Sequence, residues 1–294
     1  MTASTQERQQ IVTAAIGEIS HIATLPEITL KIVELVEDPK STAQDLHEVI
    51  NNDPALCSRI LKVVNSSFYG LPGQIGSINR AIVMLGLNAV KNIAIAASLT
   101  KLFRGGELTP AFSARDLWEH SIQTAATTKL ISDSLRMGLS DEAFLAGLVH
   151  NIGQMVEMQF DRNKLIEVIR QVAPDTSGIP QQDMLTTEEQ LFGANHQHFG
   201  AGLCEKWKFP SNFTAVTGFH HRPLELDRER RTLACMVYLA DRLVGQMEGA
   251  YRLDLMSLDI DPDVLSEVKM SSERLASLKD QLPEHLNSVA DILG

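Results

Sequence analysis

No sustained alternation of apolar and polar residues marks out a convincing half-buried strand in this 294-residue chain. Apolar residues return instead at helical spacing, as in Ile28, Ile32 and Leu35, and again in Leu46, Val49 and Ile50. The helix starts carry their own chemistry. Thr42 stands before Asp45 in a first turn, and Asp53-Pro54 pairs a capping side chain with a proline whose missing N–H costs nothing at the first helical position. Ser77 and Asn88 are read as two further starts on either side of Leu85-Gly86-Leu87. The fold class these patterns imply is all-α.

The chain divides at the polar, glycine-bearing run Arg104-Gly-Gly-Glu-Leu-Thr-Pro110. Before it lie an N-terminal helical extension (1–17) and a first helical lobe (18–104). After it come a second lobe (110–245) and a polar helical tail (246–294). The second lobe opens with a helix from about Pro110 to Arg136. Ser140-Asp-Glu142 is expected to cap the helix that leads to His150, and Pro174 to Pro180 reads as a loop. Further helices carry His196 and His220, and one from Thr232 to Gln246 carries Asp241.

Composition excludes several classes of function. The net charge of −11 argues against nucleic acid or an anionic membrane as partner. The one basic stretch, Arg222 to Arg231, interleaves Glu225, Asp227 and Glu229 and reads as self-paired. Ala81 to Leu99 is apolar but broken by Gly86, Asn88, Lys91 and Asn92, which suits a buried helical hairpin and no membrane span. Cys57, Cys204 and Cys235 form neither a zinc motif nor a disulfide framework and read as structural thiols. With no signal-peptide pattern in residues 1–10, the expected location is the cytoplasm.

Six of nine histidines fall between His120 and His221, and His150-Asn151 sits in the apolar run from Ala143 to Gly153. Neutral imidazoles grouped in this way suit a transition metal. His21, His47, His198 and His285 are read as ordinary core or surface histidines. His198 points about 200° around the helix from His196, so the two do not share a site.

Taken as a set, the order His120, His150-Asn151, His196, His220-His221 and Asp241 resembles the HD superfamily of helical metal-dependent phosphohydrolases. The resemblance is closer to its HDOD branch, the HD-related output domains. It is carried by Leu25-Pro26, by Ile50 to Leu56, by Val64 to Gly70 and by Ile78 to Gly86. Phe144 to Gly153, Asn195-His196 and Phe199-Gly200 extend it, over roughly residues 18 to 245. It implies an all-α fold of two lobes, and a stand-alone bacterial signalling module whose partner is another signalling protein. By position, His120, His150 and Asp241 would hold one metal ion. His196, His220 and His221 would hold a second.

Residue 151 departs from that pattern, because metal-binding relatives carry Asp there. A carboxylate fixes the separation of two ions and neutralises part of their charge, whereas an amide is a neutral and poorly bridging ligand. Five imidazoles and one carboxylate remain, a set suited to iron, zinc, nickel or manganese, as one or two ions. The function expected from this is signal transduction without catalysis. The alternative is a metal-dependent phosphohydrolase acting on a nucleotide or cyclic dinucleotide, for which Lys129, Arg136 and Arg242 are the available phosphate contacts. A third reading, a small-ligand or nucleic-acid binder that has merely inherited its histidines, has only the acidic balance to weigh on it, against nucleic acid.

Overall fold

The helix starts form because their side chains satisfy first-turn amides that no helical carbonyl can reach. The computed structural model describes residues 4–19, 25–100, 102–103, 106–287 and 289. In it the Thr42 side chain accepts from the Asp45 amide and the Asp45 carboxylate accepts from the Thr42 amide in return, a closed capping box. Asp53 accepts from the Leu56 amide at 2.9 Å ahead of Pro54, and Ser77 accepts from the Arg80 amide. Each such cap stabilises its helix by about 1 kcal/mol.

The first lobe consists of α2 (Glu27–Glu37), α3 (Ala43–Asn51), α4 (Pro54–Val64), α5 (Ile78–Leu85) and α6 (Leu87–Leu99), preceded by α1 (Thr5–Glu18). Gly86, at φ +92°, ends α5 and starts α6 in one residue, so α6 begins at Leu87 and Asn88 is not its cap. From Ala89 to Leu99 every residue of α6 is buried. Lys91 within it donates to the Leu35 carbonyl and the Ser41 hydroxyl, which is how a lysine survives in the core. Helix α1 turns away from this lobe and packs on the second one, with Ile11, Val12 and Ile16 seated where Gly193 and Gly202 leave room.

A short antiparallel hairpin, β1 (Glu107–Thr109) with β2 (Phe112–Ser113), lies between α6 and the next helix. It corrects the expectation of no strand: three residues are too few to show alternation. It also shortens the next helix, α7 (Ala114–Leu135), which starts after Ser113 accepts from the Asp116 amide. Then follow α8 (Ser140–Val149), α9 (Ile152–Phe160), α10 (Arg162–Val172), α11 (Met184–Phe192), α12 (His196–Lys206), α13 (Ser211–Phe219) and α14 (Arg231–Gly245). Ser140 does not cap α8: its hydroxyl reaches back to Asp133, and Leu139 stands at the cap without a side-chain bond. The chain closes with α15 (Pro262–Glu267) and α16 (Ser272–Asn287), the latter against α7. His21, Arg104 and Gly105 lie outside the described residues.

One continuous core runs through the described residues, and within it α6 packs on α8. No helix is long and apolar enough to cross a membrane among the described residues. Burial pushes the Cys204 and Cys235 thiols up to about 12, so both stay protonated, while Cys57 is half-buried. In the basic stretch Arg222 pairs with Glu225 and Arg230 with Asp227, whereas Arg228 and Arg231 both reach Glu267 on α15.

Candidate metal centre

Two close helix crossings bring the histidines together, and glycine permits both. On α8, Gly147 lies against α7 so tightly that a Cβ would stand 2.6 Å from the Ala125 Cα. On α9, a Cβ at Gly153 would overlap the carbonyl oxygen of His196 at the start of α12. Helices held this near each other bring His120 on α7, His150 just past α8, and His196 at the head of α12 to one place. His220 and His221 follow the end of α13, and α14 contributes Asp241.

The ligand atoms form two neighbouring groups, each within 4.8 Å: His120, His150 and Asp241, then His196, His220, His221 and Asp254. His120 Nε2 is 3.1 Å and His150 Nε2 3.8 Å from Asp241 Oδ1. In the second group His196 Nε2 and His221 Nε2 are 3.1 Å apart, and His221 Nε2 is 3.7 Å from Asp254 Oδ2. The His150 and His220 rings join the groups, with centroids 5.1 Å apart. None of the seven side chains is more than 7% exposed.

The outward ring nitrogens are already fixed. His150 Nδ1 faces the Gly147 carbonyl at 2.6 Å, His220 Nδ1 faces that of Thr217 at 3.2 Å, and His196 Nδ1 faces Glu188 at 2.8 Å. These contacts make Nδ1 the donor and leave Nε2 as a lone pair aimed inward. There His150 Nε2, His220 Nε2, both Asp241 oxygens and Asp254 Oδ1 are buried without a hydrogen-bond partner. Buried polar atoms are rarely left so. Their convergence fits transition-metal ions, and the donor set of five imidazoles and two carboxylates is of the right chemical type.

The five histidines and Asp241 singled out in the sequence lie in these two groups, but the tally of donors changes. Asp254, in the segment between α14 and α15, is a second carboxylate. Asn151 is not turned toward the histidines by its nitrogen: its Nδ2 donates to Asp254 Oδ2 at 2.8 Å. One turn along α9, Gln154 Nε2 donates to the same oxygen at 3.1 Å, and Gln154 accepts from the Tyr251 hydroxyl. His198 accepts from the Asn195 amide, away from the centre, as its helical angle requires. Lys129 is paired with Asp133 and Arg136 is exposed at the end of α7, so neither reaches the site.

A family model described as the HDOD domain matches residues 22–223. The chain belongs to the HDOD domain family. The crystal structure of an HDOD domain protein of unknown function from Geobacter sulfurreducens superposes with a TM-score of 0.78 at 22% identity, covering 98% of this chain and 99% of that one. A protein from Shewanella amazonensis SB2B, provisionally named a phosphohydrolase, gives 0.74 at 21% identity over 97% and 98%. Another from Marinobacter aquaeolei VT8, provisionally named a signal transduction protein, gives 0.77 at 22% over 98% and 66%. An uncharacterised protein from Treponema pallidum (strain Nichols) is 24% identical over 235 residues, 79% of this chain. The chain covers 44% of that relative's length.

In this HDOD domain burial pulls the His150 imidazole down to about 4, with the neighbouring His120 adding to the effect against the Asp241 charge. Burial likewise holds His220 well below its ordinary value, so both stay neutral. Behind His196 stand two acids that the sequence reading missed, Glu188 and Glu157, both fully buried. Glu188 accepts from the His196 amide and ring. Burial, and then the Glu188 charge, raise Glu157 well above the ordinary carboxyl range. Glu157 therefore keeps its proton and donates it toward Glu188.

That proton sets a sign. Unfolded, Glu157 ionises near 4.5, while the folded protein still holds its proton, so above that pH the folded state binds more protons and stability falls as pH rises. Glu157→Gln keeps the donor and cannot ionise. Its urea-unfolding free energy is expected to lose one proton's worth of slope above pH 5, up to about 1.4 kcal/mol per pH unit. A slope equal to that of the unaltered chain refutes the shared proton. Glu188→Gln instead removes the anion that orients His196, and metal titration is expected to show affinity lower by about 10–100-fold.

Proposed function

We propose that this HDOD domain is a signal-transduction module built around a buried transition-metal pair, acting through contact with a partner protein and not by hydrolysis. The observation that carries this reading is the burial of the whole ligand set beneath the segment between α14 and α15. A hydrolytic metal needs coordination positions open to water and substrate. Here no ligand side chain is more than 7% exposed, and only His120, His221 and Asp254 line clefts at the surface, of about 1360 Å³ at His120 and about 390 Å³ at His221 and Asp254. His120, His150 and Asp241 would hold one ion; His196, His220, His221 and Asp254 would hold the other. Bound there, the ions would supply Lewis acidity, and in a closed site that charge serves to lock the fold. The name of the Marinobacter aquaeolei relative, at a TM-score of 0.77, lends support to a signalling role.

A phosphohydrolase is the second reading, because a cleft of about 390 Å³ beside His221 and Asp254 is lined by Arg222 and Arg242. Arginines at that edge suit a phosphate. The Shewanella amazonensis relative's name agrees with it.

Metal analysis of the purified protein, with turnover of bis(p-nitrophenyl) phosphate and of cyclic dinucleotides, separates the two. The module reading expects bound metal and no turnover above that of His150→Ala. Turnover that His150→Ala abolishes overturns it in favour of the hydrolase.

A further inference from the structure

We infer that the carboxylate function missing at Asn151 has moved to Asp254, so that the segment after α14 would supply the second carboxylate of the metal centre. This rests on the metal reading above and assigns a ligand role to a residue outside the His-Asn doublet.

The geometry shows an exchange of partners. Asp254 Oδ2 lies one hydrogen bond, 2.8 Å, beyond the tip of Asn151. Two amides, from Asn151 and Gln154, grip that single oxygen. Gripped there, the carboxylate presents its other oxygen, Oδ1, which is buried without a partner, as is Asn151 Oδ1. Leu253 and Leu255, at 2% and 1% exposed, anchor the segment on either side and aim Asp254 inward.

Residue 151 must be an amide for this arrangement to hold. An aspartate there would set two carboxylates against each other in a dry site, and one would have to take up a proton or leave. Asn151 is thus the donor that seats Asp254. Metal loading in this chain is then coupled to the seating of the segment, since the same carboxylate serves both.

The test uses the full chain, loaded with Mn(II) or Zn(II), desalted and analysed for metal by mass spectrometry, with affinities from calorimetry. The unaltered protein is expected to hold two ions. Asp254→Asn keeps the shape but not the charge, and is expected to lose one ion or bind it at least about tenfold more weakly. The double variant Asn151→Asp/Asp254→Asn exchanges donor and acceptor and is expected to regain two. It remains decisive if Asp254→Asn alone does not fold, because one ion or none in the double variant overturns the inference. Two ions at unchanged affinity in a folded Asp254→Asn overturn it as well, and leave the metal centre standing. No metal in the unaltered protein overturns both.

Discussion

Gly153→Ala is expected to destabilise the protein by about 3 kcal/mol or more, because a Cβ there meets the closest contact of any described glycine. The added Cβ would overlap the carbonyl oxygen of His196, and neither partner can move cheaply. His196 opens α12 and is held from behind by Glu188, while Gly153 stands between Asn151 and Gln154, whose amides hold Asp254. Relief therefore requires α9 and α12 to separate, and that separation pulls the second ligand group apart. The melting temperature is expected to fall by at least about 6 °C. Gly76→Ala, where a Cβ meets nothing within 4 Å, is the control and should stay within about 0.5 kcal/mol. If Gly153→Ala melts with the control, the close crossing of α9 and α12 is wrong.

Removing metal is expected to have the next largest effect. Stripped of ions, the protein buries at least five polar atoms of the ligand set with no partner. An ion that binds only the folded chain stabilises it by about 2.7 kcal/mol at a hundredfold excess over its dissociation constant. Thermal melts after chelation, and again after readdition of Zn(II) or Mn(II), are expected to show a fall and a recovery of several degrees. The relevant comparison is with His150→Ala, which melts lower for loss of packing alone. Its metal-dependent shift, not its melting temperature, should shrink. A shift of equal size in both proteins would place the bound metal elsewhere.

The sequence made the helical framework legible where local chemistry decides. Thr42, Asp53 and Ser77 cap as their side chains require, because a cap involves only the next three residues. Ser140 shows the limit: it has the right residue type, but Asp133 on the preceding helix competes for its hydroxyl and wins. The hairpin at Glu107–Ser113 escaped notice because its strands are too short for a period. Five histidines and Asp241 could be collected from the family pattern. Asp254 could not, since it sits in a loop with no periodicity. Two clues were nevertheless present. Leu253 and Leu255 bracket an acid between Tyr251 and Met256, and an amide at 151 leaves positive charge in need of a carboxylate. Glu157 had a stronger signal: an acid flanked by Met155, Val156 and Met158 on an apolar helix is either paired or protonated.

The span between Asn151 and Asp254, 103 residues, has a consequence for how the molecule is made. Domains fold from the N-terminus as they leave the ribosome, at about 5–20 residues per second. Five histidines and Asp241 have emerged before Asp254 does, and the chain from 241 to 254 takes on the order of a second. During that interval the helices can gather around an unfinished centre that is still open to the cell's metal pool. Arrival of Asp254 and Tyr251 then closes it. The identity of an ion taken up there would thus be set by what is at hand in that interval as well as by the affinity of the finished site.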